Sequence, residues 1–117
     1  MLLPIERGDV VRANLHPAEG SEQDGIRPVV VVSRDAINRS SPVVIIVPFT
    51  DAANKSRIYP SHVLFKAGTA GLAMDSVAVC EQVRAISKTR LKSLLGKLNR
   101  AELTSIEAAL KITLDLS

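Results

Sequence analysis

Two short runs of branched aliphatic residues constrain this chain more than any other feature. Pro28-Val29-Val30-Val31-Val32-Ser33 and Val43-Val44-Ile45-Ile46-Val47 favour extended backbone, and neither alternates apolar with polar positions. A strand without a polar face needs cover on both sides. The 117 residues fit one compact domain, 1–117, that can bury such strands without disulfides or metals. Pro28 opens the first run, a position that strands tolerate, whereas Pro48 after the second removes a ladder donor. A bulge or an edge is therefore expected near Phe49-Thr50.

Further strands are expected at Asp9–Leu15, His62–Phe65 and Ser76–Cys80, with Glu81–Ile86 continuing the last in alternation. Between them lie a loop from His16 to Arg27, long for a plain connection, and a polar loop from Asp51 to Arg57, read as mobile. The chain closes with a helix. Asn99 stands as N-cap with Glu102 in capping-box register, and Leu103, Ile106, Leu110 and Leu114 form one apolar stripe. Ala109, Ile112 and Leu116 widen that stripe, so the helix either touches a second surface, such as another subunit, or is packed wholly in its own core. Antiparallel strands followed by one helix give a mainly β (α+β) fold class: a small, strongly twisted sheet or open barrel.

Composition narrows the function classes. Apolar residues make up 46% and charged residues 23%, too much burial material for a disordered chain. Cys80 is the one cysteine; it reads as a small buried hydrophobe and fits a reducing cytoplasm. His16, His62 and Cys80 do not make a metal-binding spacing, so no metal or cofactor is expected. The opening Met1-Leu2-Leu3-Pro4-Ile5-Glu6-Arg7 lacks the plan of a signal peptide, and the longest apolar run is too short to span a bilayer, so no membrane partner is expected. Net charge is +3. Arg84, Lys88, Arg90, Lys92, Lys97 and Arg100 fall close together, as a solvated basic face or as an RNA-facing one.

Four segments, in order, resemble the MazF/PemK family of toxins. They are Arg7-Gly8-Asp9-Val10-Val11, the stretch from Gly20-Ser21-Glu22-Gln23 through Gly25-Ile26-Arg27-Pro28 to Ser33, Val47-Pro48-Phe49-Thr50, and Asp75 to Ile86 with Glu81-Gln82 at its centre. The second is the specific one, and the resemblance covers almost the whole chain. It implies an SH3-like barrel of antiparallel strands with a C-terminal α-helix, the CcdB/MazF-type toxin fold. It implies a homodimer that cuts single-stranded RNA at short motifs, leaving a 2′,3′-cyclic phosphate and a 5′-hydroxyl. A cognate MazE-like antitoxin, whose flexible acidic tail occupies the RNA groove, is the other implied partner.

Those products mean that the ribose 2′-oxygen displaces the 5′-oxygen in line, which requires fixed geometry, neutralised phosphoryl charge and two proton movements. On the resemblance, Arg27 and Thr50 are the catalytic residues. An arginine stays protonated up to roughly pH 12, so Arg27 suits an electrostatic clamp better than a base. The Thr50 hydroxyl suits donation to the leaving oxygen or orientation of the 2′-OH. Ser21, Glu22, Gln23, Glu81, Gln82 and Arg84 are the expected RNA-binding residues, since Gln and Glu can address the edges of unstacked bases. Two positions depart from relatives that carry a histidine in place of Ser21 and an arginine in place of Val79, which leaves the general base unassigned. Aromatic residues are only Phe49, Tyr59 and Phe65, so base selection is expected to lean on polar contacts. The alternatives are a catalytically silent family member or a gyrase-poison-like protein-binding toxin on the same fold. The missing tryptophan counts against the latter.

Overall fold

A computed structural model describes residues 4–116; the first three residues of the N-terminal stretch read above, and Ser117, lie outside the described residues. Its elements are β1 (Asp9–Asn14), β2 (Ile26–Val31), α1 (Asp35–Ser40), β3 (Val43–Asp51), β4 (His62–Phe65), β5 (Ser76–Val79), β6 (Arg84–Ser87), β7 (Leu91–Lys97) and α2 (Arg100–Leu114). All strand pairs are antiparallel. The order is β4-β5-β3-β2-β1-β7, with β6 also on β3.

The nine-residue β3 is the spine. One edge pairs with β2, Pro48 opposite Val29. The other pairs first with β6, from Val43 opposite Ser87 to Ile46 opposite Arg84, and then with β5, from Phe49 opposite Ala78 to Asp51 opposite Ser76. The irregularity expected near Phe49-Thr50 therefore lies in the partner. β3 runs straight through Pro48, and it is the chain across from it that leaves the ladder, as one turn of 3-10 helix at Cys80–Gln82. On that edge no residue is paired with Pro48, so its missing N–H leaves no ladder bond unmade. The same turn corrects the expectation of an unbroken strand from Ser76 to Ile86.

The valine runs are covered on both faces. Val30, Val47 and Phe49 join Phe65, Leu72 and the α2 residues Leu103, Ile106 and Ala109 in one cluster. Val29, Val31, Val44 and Ile46 join Val11, Ala13, Ile86 and Leu91 in a second. Each fully buried side chain of this kind stabilises by roughly 1.5–3 kcal/mol. The second cluster fills a ring, because β6 passes through a single 3-10 turn, Lys88–Arg90, into β7, which pairs with β1. Two glycines close the far seam of the sheet. A Cβ on Gly71 would collide with the Leu95 carbonyl, and one on Gly96 would lie 2.5 Å from the Ala70 carbonyl oxygen.

Two elements were not anticipated. β7, Leu-Lys-Ser-Leu-Leu-Gly-Lys, contains no β-branched residue, so pairing with β1 imposes its conformation. The short α1 carries the buried Asn38, whose Nδ2 donates to the Ser33 carbonyl at 2.8 Å. In α2 the Glu102 N–H donates to Asn99 Oδ1 and the Asn99 N–H donates to Glu102 Oε1, both at 2.8 Å, completing the capping box. The helix stripe divides: Leu103, Ile106 and Ala109 are buried, whereas Ile112, Leu114 and Leu116 are each more than half exposed. Cys80 is fully buried; burial, then the neighbouring Glu81 charge, pushes its thiol up to about 12, which makes it an inert core residue. No helix among the described residues is long and apolar enough to cross a membrane.

Candidate active site

The first two strands form a hairpin that continues past its ladder. Ala13 faces Arg27 and Asn14 faces Ile26, and the Leu15 N–H donates to the Gly25 carbonyl at 2.9 Å. Gly20 and Gly25 both have positive φ, 55° and 76°, which lets the loop turn back on itself without strain.

Arg27 leaves this hairpin toward β3. Its Nε donates to the Asp24 carbonyl at 2.8 Å and its Nη1 to the Phe49 carbonyl at 3.1 Å. A guanidinium has five N–H donors. Two are fixed on main-chain oxygens, so the fork is oriented while three donors stay available. The next residue after Phe49 is Thr50, only 5% exposed. Its Oγ1 accepts a long hydrogen bond, 3.5 Å, from Asn54 Nδ2, which leaves the hydroxyl proton to donate elsewhere. The two expected catalytic residues are thus brought together across the β2–β3 pair.

The expected RNA-binding residues divide by what already occupies them. Gln82 grips the loop: its Oε1 accepts from the Gln23 N–H at 2.7 Å and its Nε2 donates to the Ser21 carbonyl at 3.1 Å. Gln82, Ser21 and Gln23 therefore form one unit. Glu22 accepts the Glu19 N–H at 2.7 Å within the loop. Glu81 points the other way. Its Oε1 accepts from Ser61 Oγ at 2.9 Å, and its Oε2 from His62 Nε2 at 3.0 Å. Burial alone would raise the Glu81 carboxyl, but its own backbone N–H, His62 and Ser61 together hold it below the usual glutamate range. Arg84 is half-buried on β6 opposite Ile46.

Residues outside the expected site hold this arrangement. Arg90 Nη1 donates to the Asn14 carbonyl at 3.0 Å and the His16 carbonyl at 2.8 Å. His16 Nδ1 lies 3.2 Å from the Asp24 carboxylate. The Gly25 N–H foremost, with help from His16, keeps Asp24 below the usual aspartate range. Arg90, then, clamps a loop rather than facing solvent. Lys97 pairs with Glu6 and Asp9 at 3.3 and 3.5 Å, and Arg100 with Glu107 at 3.6 Å. Half of the basic stretch is thereby committed inside the chain. Among the described residues no three His, Cys, Asp or Glu side chains come together as metal ligands.

Comparison with known proteins identifies the family and the fold. Residues 6–114 match the family described as PemK-like, MazF-like toxin of type II toxin–antitoxin system. The chain is 43% identical over 113 residues to the endoribonuclease MazF of Staphylococcus epidermidis, covering 97% of this chain and 93% of that one. A mycobacterial endoribonuclease solved in complex with its cognate antitoxin superposes with a TM-score of 0.79 at 25% identity, over 97% of each chain. MazF from Deinococcus radiodurans gives 0.81 at 24%, over 97% of this chain and 98% of that one, a likeness of fold. With its antiparallel seven-strand sheet, its C-terminal helix and this match over nearly its full length, the chain belongs to the PemK-like, MazF-like toxins of type II toxin–antitoxin systems.

Proposed function

We propose that the chain is a single toxin domain, 1–117, acting as a metal-independent endoribonuclease in the cytoplasm on single-stranded RNA. The observation that carries this reading is the Arg27 guanidinium fixed on the carbonyl that precedes Thr50, in a chain 43% identical to an endoribonuclease. With two donors tied to backbone, Arg27 presents the remaining N–H groups to the non-bridging oxygens of a scissile phosphate without reorganising. A preorganised donor of this kind contributes roughly 3 kcal/mol to the transition state. Thr50 supplies a hydroxyl beside it to orient the 2′-OH or to protonate the leaving 5′-oxygen. The 2′-hydroxyl gives its proton to solvent and its oxygen bonds to phosphorus as the bond to the 5′-oxygen breaks; the 5′-oxygen takes up a proton, giving a 2′,3′-cyclic phosphate and a 5′-hydroxyl. Ser21, Glu22, Gln23, Glu81, Gln82 and Arg84 form the RNA-binding surface around that phosphate, with Gln82 fixing the loop that carries the first three.

The partners follow from the same surface. A groove with cationic donors at its base accepts an acidic disordered segment as well as RNA, so a MazE-like antitoxin tail competes with the substrate. The exposed apolar end of α2, at Ile112, Leu114 and Leu116, supports a homodimer.

The test is a gel assay on a long single-stranded RNA in excess EDTA. The chain is expected to give discrete fragments ending in cyclic phosphate, and Arg27→Ala to lower the cleavage rate by roughly 100- to 1000-fold. Near-full activity in Arg27→Lys would refute the need for a planar fork. Intact RNA from folded protein would favour the silent or protein-binding toxin instead.

A further inference from the structure

Tyr59 stands out because nothing in the cleavage chemistry uses it. Its ring is 50% exposed, in the connection between Asn54 and β4, and Ile58 beside it is 48% exposed. The Arg57 guanidinium lies over the ring, 5.5 Å from its centroid. The ring meets the His62 imidazole edge to face, at 5.4 Å and 82°. His62 is fixed in turn. Its Nδ1 accepts from the Tyr59 N–H at 3.2 Å, so Nε2 carries the proton that it gives to Glu81. The His62 side chain is only 1% exposed. An exposed ring is thus pinned, through one buried imidazole, to the residue next to Gln82, which grips the Ser21–Gln23 loop.

We infer that Tyr59, backed by Arg57, is a stacking platform for an unstacked base of the RNA, on the opposite side of the Glu81-Gln82 turn from the Ser21–Gln23 loop. The argument rests on the endoribonuclease reading above. Single-stranded RNA is held by aromatic faces that take up splayed bases and by cations that track its backbone. Tyr59 supplies the face, and Arg57 supplies the charge while keeping the ring in place. The buried His62 lowers the entropy lost on stacking, because the loop main chain at Tyr59 is already tied down. The expectation that base selection leans on polar contacts is extended accordingly: polar groups read the base edges on one side of the turn, and a ring receives a base on the other.

The composition offers a direct readout. Tyr59 is the sole tyrosine and there is no tryptophan, so Tyr59→Trp installs a single reporter in the platform itself. The probe is a 2′-fluoro-substituted single-stranded RNA containing every base triplet, which lacks the 2′-OH nucleophile and is not cleaved. Binding is followed by anisotropy of a label on the RNA, and indole emission is recorded in the same titration. Emission is expected to be quenched in parallel with binding. Tyr59→Ala is expected to weaken binding by about tenfold, with Tyr59→Phe within about twofold of the parent chain. Thermal unfolding serves to check that the half-exposed position leaves the fold intact. Binding without a change in emission, or Tyr59→Ala binding as tightly as the parent, would overturn the platform and leave the nuclease reading standing. A parent chain that neither binds this probe nor cuts ordinary RNA would remove both.

Discussion

The two loops that flank the Glu81-Gln82 turn are held in different ways. The loop from His16 to Gly25 is held by its main chain: Arg90 takes the Asn14 and His16 carbonyls, Gln82 takes Ser21 and Gln23, and Arg27 takes Asp24. Its own side chains at Ser21 and Gln23 stay available. The connection from Ala52 to Ser61 combines main-chain bonds, Ala52 N–H to the Asp75 carbonyl at 2.9 Å and Cys80 N–H to the Ser61 carbonyl at 3.0 Å, with side-chain ones: Asn54 on Thr50, Ser61 on Glu81 and the Tyr59 N–H on the His62 ring. Main-chain clamps tolerate changes of side chain within the loop, so Ser21 and Gln23 can vary without loss of shape. In the second loop the Tyr59 N–H and ring both rest on one imidazole.

That difference predicts an ordered set of effects. The largest is expected for His62→Ala. It empties a buried site and orphans the Tyr59 N–H, for a loss of about 2–4 kcal/mol in urea unfolding. Amide exchange should accelerate at Tyr59 and Ser61 and stay slow at Gln23; acceleration at Gln23 as well would mean that the two loops are one unit. Arg90→Met comes second. It leaves two carbonyls without their donor, at a cost of about 1–2 kcal/mol, with faster exchange at Leu15 and Gln23 and none of the effect at Tyr59. Stability within a few tenths of the parent would show that solvent replaces the clamp.

The smallest effect is one of pH. Glu81 sits below its ordinary range in the fold, so its hydrogen bonds to Ser61 and His62 contribute stability above the unfolded glutamate value, roughly 4.3. That contribution is lost as pH falls through the lower folded value. Asp24 behaves in the same sense in the other loop. Acid should therefore release Tyr59, seen as a change in its emission before global unfolding, and Glu81→Gln should abolish that early change. An unaltered acid transition in Glu81→Gln would remove Glu81 from the linkage.

How much of this was legible in the sequence follows from the range of each interaction. The valine runs, the Asn99–Glu102 cap and the buried Cys80 are local or compositional signals, and all were readable. β7 was not, because Leu91–Lys97 is a strand only by virtue of pairing with β1. The break in the ladder lies near Phe49-Thr50 as expected, but it is the facing segment that departs, since a proline marks its own missing donor but not which neighbour will be absent. Arg27 and Thr50 were reached through family resemblance; that Arg27 reaches the carbonyl of Phe49, the residue before Thr50, is a contact across 22 positions with no local signature. Arg90 was invisible as a clamp because its partners, 74 and 76 positions away, are main-chain oxygens, and any residue type can supply those.

The pairing of β1 with β7, which closes the ring around the second apolar cluster, also has a meaning in time. Synthesis delivers β1 first and β7 last among the strands. Until Lys97 has left the ribosome, β1 has one bare edge and the valines inside the ring have no last wall. Arg27, Thr50 and Gln82 have all been made by then, yet the scaffold that aligns them is incomplete. A barrel stitched from its two ends is slow to form by the logic of long-range contacts, and a nascent chain with a bare strand edge is exposed to misassembly. For a nuclease made on the same kind of molecule that it cuts, that order of assembly withholds the finished site until β7 has been made.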